Sequence, residues 1–286
     1  MNEREARAIL FSAIEGGHSF WSAEIFETSA LIVYNKLING GYDCIKHGAL
    51  IEEVKSASFD QISTSIQVHG AHLLIPGDSH WPSKVDDLTN PPIALIAKGN
   101  CEVLRTDSLA IVGTRNPTNY GARIAGDFAA GFVDRQWSVV SGGAYGIDSF
   151  AHKGALIAEG VTIAIIACGI DINYPAGNTR LFNEICESGA LLTEVMPGCR
   201  ALPHRFLTRN RLIAAISQAT LVVEAAFRSG SLRTARDAAQ LLRPVMAIPG
   251  PINSPTSEGC HRLIGERAAE IVTSVADAVE FIGINQ

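Results

Sequence analysis

WSVVSGGAYGID, residues 137–148, places three glycines and a carboxylate directly after a short apolar run. The apolar run predicts a buried strand, and the glycines that follow it predict a tight turn into a helix. Glycine at such a position has two interpretations: turn chemistry alone, or a backbone that must come close to a bound group. Because the N-terminus of a helix presents unpaired N–H groups, we expect this segment to hold a phosphate.

The pattern of apolar run, polar loop and amphipathic segment repeats on both sides of this stretch. It predicts an α/β fold with a doubly wound, mostly parallel sheet that is covered on both faces. Right-handed crossovers place the loops that follow the strands at one edge of the sheet, where ligands bind. The predicted strands lie at 109–113, 137–143, 161–169, 190–195, 220–226 and 244–250, and the predicted helices near 119–135, 148–159, 178–188, 208–219 and 230–242.

The first 66 residues carry apolar side chains at spacings of three and four, which predicts a small helical N-terminal domain. Its helices are expected at 6–14 and at 20–38, and the glycine pair at 40–41 ends the second. Residues 67–286 are expected to form the main domain. It begins with a turn-rich stretch that contains two short strands, the second at 93–97.

The composition is that of a globular protein: 47% of the 286 residues are hydrophobic and 18% are charged. No apolar run approaches the roughly 20 residues of a membrane helix, and the charged N-terminus lacks the pattern of a secretory signal. The six cysteines are scattered without a CxxC pair. We therefore expect no disulfide framework, no metal site and no cofactor, and the reducing cytoplasm is the expected location.

Charge is distributed unevenly along the chain, although the net charge of −6 disfavours nucleic acid as a partner. Residues 1–100 contain 7 basic and 12 acidic side chains, whereas residues 196–243 contain eight arginines and only two carboxylates, Glu224 and Asp237. A local basic surface of this kind binds polyanions even when the whole chain is acidic. The eight arginines are Arg200, Arg205, Arg209, Arg211, Arg228, Arg233, Arg236 and Arg243.

Polar and glycine-rich loops follow four of the predicted strands, at 113–121, 141–148, 168–178 and 224–235. For each loop alone, turn chemistry explains the sequence as well as binding does. Four such loops at one edge of a sheet favour a shared groove. The nucleotide-binding motifs GxxxxGK[ST] and GxGxxG are absent, as are the hydrolase motifs HExxH and GxSxG.

Four side chains near these loops invite more than one interpretation. Asp148 is expected to be the N-cap of the helix after its loop and to help shape the site. Arg209 and Arg211 are expected at the start of a helix, where their charge opposes the helix dipole and is easier to understand if an anion binds nearby. His152 is expected to be a helix-face or hydrogen-bonding residue rather than part of the site.

Several segments agree in content and order with one known family. They include LAIVGTRNPTNYG (109–121), VVSGGAYGIDSFAHKGAL (139–156), FLTRNRLIAAIS (206–217) and LVVEAAFRSGSLRTARDAA (221–239). Over about residues 70–275 the chain resembles the DNA-processing protein DprA (Smf) family. The resemblance implies an extended Rossmann-like fold, preceded in many members by a small helical domain. It also implies binding of single-stranded DNA, a homodimer, and the loading of a RecA-type recombinase during natural transformation, without enzymatic activity.

The resemblance also implies which residues bind DNA and which form the dimer. Tyr145 and Phe206 are candidates for a platform on which bases stack. The implied DNA-binding residues are Gly113, Thr114, Arg115, Tyr120, Ser141, Gly142, Gly143, Tyr145, Gly146, Asp148, Lys153, Asn178, Arg209, Asn210, Arg211, Ser229, Gly230 and Ser231. The implied dimer contacts are Cys260, His261, Leu263 and Ile264.

The chain departs from the family pattern at Leu207, Ala215, Arg233 and His261, and YPAGN (174–178) lacks the basic residue of many members. Many members also carry a C-terminal winged-helix domain, which is not expected in a chain whose sequence ends soon after residue 282. These departures leave binding of single-stranded DNA as the expected function, whereas a role in transformation is implied by the resemblance alone.

Two other functions stay open. The sheet and glycine loop also resemble nucleoside-monophosphate phosphoribohydrolases, in which a glutamate after the glycines of a PGGxGTxxE loop acts on the ribosyl bond. Here Glu224 precedes the glycine, and no glutamate occupies the later position. The other alternative is a structural partner of DNA-repair proteins whose groove is vestigial.

Overall fold

A single sheet of nine strands lies at the centre of the computed structural model, which describes residues 1–283. The strands are β1 (Ala71–Leu74), β2 (Leu95–Gly99), β3 (Ser108–Val112), β4 (Ser138–Ser141), β5 (Thr162–Ile166), β6 (Ala190–Thr193), β7 (Ala219–Val222), β8 (Val245–Ala247) and β9 (Glu270–Ile271). Their order across the sheet is β1-β2-β6-β5-β4-β3-β7-β8-β9. From β6 to β9 in this order, neighbouring strands are parallel. At the other end of the sheet, β2 pairs antiparallel with β6, and β1 pairs antiparallel with β2.

Helices precede the sheet and cover both of its faces. They are α1 (Glu3–Ala13), α2 (Ser19–Glu27), α3 (Ala30–Ile38), α4 (Cys44–Ser56), α5 (Phe59–Gln67), α6 (Asn119–Val133), α7 (Ile147–Ile157), α8 (Thr179–Ser188), α9 (Pro203–Ile216), α10 (Ser231–Gln240), α11 (Glu258–Gly265) and α12 (Val275–Ile282). None of the helices in the described part of the chain is long and apolar enough to cross a lipid bilayer.

The strands are apolar on both faces because both faces are covered. In β3, Leu109 and Ile111 belong to the apolar cluster that contains residues of α6 and α7. Ala110 and Val112 point the other way and belong to the cluster that contains residues of α9 and α10. Alternate residues of a strand face opposite sides, so a strand buried on both sides has no polar face. The predicted doubly wound α/β sheet is confirmed.

The N-terminal helices differ from the prediction in number, and α4 and α5 follow the glycine pair where no individual helix was predicted. The single helix expected at 20–38 is two helices, α2 and α3, because the chain turns at Thr28 and the side chain of Ser29 caps α3 by accepting a hydrogen bond from Ile32 N. N-terminal and main-domain residues share one apolar cluster, in which Leu10 and Leu37 are grouped with Ile96 of β2 and Phe182 of α8. A domain boundary between residues 66 and 67 therefore stays a proposal, since apolar packing crosses it.

Two features of the C-terminal half were not predicted. Helix α9 begins at Pro203, five residues before its expected start, because proline is well suited to the first helical turn. The strand β9 and the helices α11 and α12 also lie beyond the predicted pattern. Residues 284–286 of the expected main domain lie outside the described residues.

The strand order creates the crevice in which the site lies. The chain runs from β3 to β4 on one side and returns to β7 on the other side of β3. The loops that leave the carboxyl ends of β3 and β7 therefore diverge, and such a switch point opens a crevice in doubly wound sheets.

Candidate nucleic-acid interface

A cleft of about 400 Å³ opens at this switch point. Its walls come from the loops after β3, β4 and β7 and from one side of α9. Four separate segments of sequence thus converge there, as the position of the loops on one sheet edge requires. The lining residues are Val112, Gly113, Thr114, Arg115, Ala144, Asp148, Phe206, Leu207, Arg209, Asn210, Ile213, Ala226, Arg228, Ser229, Gly230, Ser231 and Thr234.

The glycine loop after β4 is held in a shape that other residues do not adopt easily. Gly146 has a φ of 83°, and a Cβ at this position would collide with the carbonyl oxygen of Thr114. Asp148 Oδ2 accepts hydrogen bonds from Gly142 N at 3.1 Å and from Ala144 N at 3.3 Å. The expectation that Asp148 is the N-cap is wrong: Gly146 is the N-cap, and Asp148 ties down the loop instead.

Arg209 forms the floor of the cleft. Its side chain is buried, and Nη1 donates to the carbonyl oxygens of Gly142, at 2.6 Å, and Ile165. Burial lowers the pKa of Arg209 to about 10, which leaves the guanidinium charged at neutral pH. Burial also raises the pKa of Asp148 although the charge of Arg209 acts in the opposite direction. The Asp148 carboxyl group and the Arg209 guanidinium thus both lie beneath the glycine loop.

The expected position of Arg209 and Arg211 at a helix start is wrong. Helix α9 starts at Pro203, so both arginines lie in its interior, and neither opposes the dipole of the first turn. Nη1 of Arg209 donates to two carbonyl oxygens, whereas Nε is buried without a hydrogen-bond partner. The inference of an anion from the helix dipole therefore does not hold at this position.

Aromatic rings lie beside the basic residues at the mouth of the cleft. The guanidinium of Arg115 lies over the ring of Phe206, 5.1 Å from its centroid, and Arg115 is exposed. The Tyr174 ring is 5.5 Å from the same ring and is 46% exposed. Tyr145 is 50% exposed, and its hydroxyl accepts a hydrogen bond from Gly177 N at 3.2 Å. Partly exposed aromatic faces next to arginine are typical of surfaces on which nucleic-acid bases stack.

The loop before α10 presents a second helix N-terminus to the cleft. Gly230 is the N-cap, and no side chain caps this end of the helix. Ser229 and Ser231 are joined by a hydrogen bond of 2.8 Å between their hydroxyls, and Asn210 Nδ2 donates to Gly230 O at 3.2 Å. The N–H groups of residues 231–233 at the start of α10 already donate to Ser229 or Gly230. At the start of α7, Ile147 N donates to Thr114 O.

The structure gathers half of the eighteen predicted DNA-binding residues into this cleft. Those that line it are Gly113, Thr114, Arg115, Asp148, Arg209, Asn210, Ser229, Gly230 and Ser231. Gly142, Gly143, Tyr145 and Gly146 belong to the glycine loop, and Ser141 and Asn178 are buried behind it. Asn178 Nδ2 donates to Gly143 O at 2.9 Å and to Ser149 Oγ at 2.8 Å, so it supports the loop.

Three predicted residues lie away from the lining of the cleft. Tyr120 donates from its hydroxyl to Pro249 O at 3.1 Å, near the loop after β8. Lys153 is exposed on α7 beside Phe150. The prediction that Arg211 binds DNA needs correction. Its Nη2 donates to both carboxylate oxygens of the buried Glu194, so an ion pair inside the protein already neutralises its charge.

The basic surface predicted from residue counts is also smaller than expected. Four of the eight arginines form ion pairs, namely Arg205 with Glu15, Arg211 with Glu194, Arg233 with Asp237 and Arg243 with Asp87. Within the described residues, Arg115 and Arg228 line the cleft and have no carboxylate within ion-pair distance. With Arg209, they supply the positive charge of the cleft.

The site predicted from the sequence omits several residues that line the cleft. Leu207 and Ala226 give no chemical signal, whereas Arg228 could have been found because it precedes the predicted Ser229–Ser231 loop segment. Tyr174 was also missed, although its loop was among the four that were expected to converge.

Glu224, the carboxylate of the enzymatic alternative, is engaged elsewhere. It is buried, and its two oxygens accept hydrogen bonds from Thr118 N at 2.9 Å and from Thr118 Oγ1 at 2.6 Å. The carboxylate thus holds the start of α6. No group of three or more histidine, cysteine, aspartate or glutamate side chains with metal-binding geometry occurs in residues 1–283.

Two of the four predicted dimer contacts need correction. Cys260 and Leu263 are 0% and 1% exposed and belong to the chain's own core. A charge at Leu263 would therefore destabilise the fold rather than separate two folded subunits. His261 and Ile264 are partly exposed, and His261 Nε2 lies 3.0 Å from Gly250 O.

The chain is similar in sequence and in structure to known proteins. It matches the family model described as DNA recombination-mediator protein A over residues 72–283. A DNA processing protein DprA of Mycobacterium tuberculosis is 42% identical over 256 residues, which cover 85% of this chain and 65% of that relative. This chain therefore spans about two thirds of the length of that protein.

Two solved structures of DNA processing protein A share the fold of this chain and are also similar to it in sequence. The DprA structure from Streptococcus pneumoniae has a TM-score of 0.76 and 35% identity, with 82% of this chain and 81% of that chain covered. DNA processing protein A from Helicobacter pylori, which binds single-stranded DNA, has a TM-score of 0.67 and 29% identity, with 73% of this chain and 94% of that chain covered. The family match and these identities show that the chain belongs to the DNA recombination-mediator protein A (DprA/Smf) family.

Proposed function

We propose that this chain binds single-stranded DNA in the cleft and acts as a recombination mediator that delivers the strand to a RecA-type recombinase. The observation that carries the proposal is Arg115, an exposed guanidinium that lies over the Phe206 ring at the mouth of the cleft. One residue pair thus offers a phosphate contact and an aromatic face, the two features that sequence-tolerant binding of single strands requires.

The cleft fits a flexible strand better than a duplex. Its lining includes the exposed guanidinium groups of Arg115 and Arg228, which are suited to contacts with phosphate. Arg209 adds positive charge at the floor of the cleft, but it is buried and donates to backbone carbonyl oxygens. The exposed rings of Tyr145 and Tyr174 stand beside it. In a duplex the faces of the bases are stacked on one another, so only a single strand can use such rings.

The chain's own contacts favour binding over catalysis. The phosphoribohydrolase alternative needs a carboxylate free to act on a ribosyl bond, but Glu224 is buried against Thr118. Asp148, the carboxylate in the lining, is occupied by two backbone N–H groups of the glycine loop. Neither side chain is placed as a free acid or base.

A homodimer through the β9 edge of the sheet is part of the proposal. Apolar side chains there are exposed: Leu242 by 92%, Ile271 by 46% and Phe281 by 43%. β9 is short and lies at the edge of the sheet, where its backbone is open to pairing. A second copy would cover this surface and place two clefts in one particle. Cytoplasmic location and a role in transformation belong to the same proposal, since DNA and recombinase meet there.

The proposal is tested by fluorescence anisotropy with a labelled single-stranded oligonucleotide and a duplex of equal length, over a salt series. We expect single-strand preference and affinity that falls with salt, because each phosphate contact adds about −0.7 to the logarithmic salt slope. Arg115→Ala should weaken binding about tenfold or more and reduce that slope. Arg180→Ala is the control, because Arg180 is 93% exposed on α8 and pairs with Glu184.

Either of two outcomes would contradict the proposal. One is wild-type protein that binds no single strand at low salt. The other is equal loss of affinity in Arg115→Ala and Arg180→Ala, which would mean that binding follows net charge rather than the cleft.

A further inference from the structure

Phe227 is an exposed aromatic residue at the rim of the cleft. Its two sequence neighbours, Ala226 and Arg228, both line the cleft, whereas the Phe227 ring is 50% exposed. The guanidinium of Arg262, from α11, lies over this ring at 4.7 Å from its centroid. Arg115 and Phe206 form the same arrangement of a guanidinium over an aromatic ring at the mouth of the cleft.

The loop that carries Phe227 is anchored at Ala225 to the start of α11. Ala225 N donates to Thr256 O at 2.7 Å, and Ala225 O accepts from Gly259 N at 2.8 Å. The first turn of α11 packs so closely on the loop that a Cβ at Gly259 would lie 2.7 Å from Ala225 O. The backbone is thus anchored two residues before Phe227, which limits the freedom that the exposed ring loses when a base stacks on it.

The position of the Arg262 side chain also favours stacking of a base on Phe227. Its Nε pairs with Glu266 Oε1 at 2.6 Å, an i,i+4 pair on the same helix that orients the guanidinium over the ring. Arg262 covers one side of Phe227, and half of the side chain remains exposed, which leaves ring surface for a base. A base stacked there would lie next to the exposed Arg228, so the phosphate between cleft and ring would meet a positive charge.

We propose that Phe227, backed by Arg262, is an outer stacking position where the single strand continues after it leaves the cleft. This inference rests on the proposed function and extends its footprint beyond the cleft. The strand would pass from the cleft over Arg228 to Phe227. A short strand that fills only the cleft would not reach this position.

Oligonucleotides of two lengths separate the outer position from the cleft. Single-strand sites span about 4–16 nucleotides, so we compare oligothymidylates of about 5 and about 20 nucleotides. Phe227→Ala should weaken binding of the long strand on the order of tenfold and leave the short strand unchanged within about twofold, as expected from the loss of one stacked base. Phe227→Trp should restore long-strand affinity. Phe26→Ala, which removes a 63% exposed ring on α2, should change neither affinity.

A second measurement does not depend on the affinity of the short strand. Binding of the long oligonucleotide should quench the tryptophan emission of Phe227→Trp beyond any change seen in the wild type, because a stacked base quenches an indole. Absence of the extra quenching, or equal loss of both lengths in Phe227→Ala, would overturn the outer position while leaving the cleft in place. Wild-type protein that binds neither length would overturn the proposed function itself.

Discussion

Arg211 Nη2 donates to both carboxylate oxygens of Glu194, at 2.7 and 2.5 Å, inside the protein. The pair joins the end of β6 to α9, and Arg211 Nη1 also donates to Asn90 O at 2.9 Å. Gly16, in the loop between α1 and α2, lies against Glu194, so that a Cβ there would be 2.7 Å from the carboxylate carbon. One ion pair thus connects the sheet, a helix of the cleft and the N-terminal helices.

Removal of one partner of this pair should destabilise the fold. Burial raises the pKa of Glu194 despite the charge of Arg211, so the carboxylate depends on its partner. Arg211→Met leaves a buried, uncompensated carboxylate and should lower the free energy of unfolding by about 3–5 kcal/mol in urea titrations. Glu184→Gln, which breaks the exposed pair with Arg180, should cost less than about 1 kcal/mol. A similar, small loss in both variants would argue against a structural role for the buried pair.

Gly146→Ala should damage the glycine loop. A Cβ would collide with the carbonyl oxygen of Thr114, and a φ of 83° is unfavourable for alanine by about 1–2 kcal/mol before the collision is counted. We expect a lower melting temperature and weaker DNA binding. Gly126→Ala is the matched control: it lies within α6 with open space around its Cβ, and alanine there should stabilise the helix by up to about 1 kcal/mol. Retained stability in Gly146→Ala would contradict the loop geometry.

His152 should make the fold sensitive to acid. Its Nδ1 lies 2.6 Å from Thr162 Oγ1, which itself donates to Val139 O, and Nε2 is buried without a partner. Burial and the charge of Arg209 lower the pKa of His152 to about 3. The unfolded histidine binds a proton near pH 6.5 and the folded one does not, so stability falls as pH drops from about 6.5 towards 3.

The size of this effect is measurable by denaturation at two pH values. From pH 7 to pH 5, His152 should remove about 2 kcal/mol of stability. The decrease measured for wild type should exceed that of His152→Asn by this amount, whatever the variant's stability at pH 7. His72→Asn, at an exposed position on β1, should behave as wild type. Equal pH dependence in wild type and His152→Asn would show that His152 does not carry the effect.

Leu242→Glu should separate a dimer formed through the β9 edge without unfolding the subunits, because Leu242 is 92% exposed. Light scattering should report a dimer for the wild type and a monomer for the variant, with unchanged melting temperatures. Leu263→Ala, in the core, should instead lower the melting temperature by creating a cavity. A dimer that persists in Leu242→Glu would place the contact elsewhere.

The parallel sheet could be predicted from the sequence because its signals are local. Each strand from β3 to β8 is a nearly continuous apolar run, and a strand buried on both faces must be one. The convergence of loops at one sheet edge followed from the handedness of the crossovers, and three of the four predicted loops line the cleft, whereas none of the residues 168–178 does. The break between α2 and α3 was missed because the apolar spacing continues on both sides of Thr28 and Ser29, and a side-chain cap at Ser29 decides where α3 begins.

The sequence by itself determined the alternation of strands and helices from β3 to β8, most of the loops that line the cleft and the family to which the chain belongs, since all three reside in short contiguous motifs. Only the tertiary structure decided which arginines are left free at the surface of the cleft. Arg211 and Arg205 meet Glu194 and Glu15, which are distant in sequence, and Arg209 is buried under the glycine loop. A count of charges along the chain cannot reveal such pairing, because ion pairs depend on distances in space.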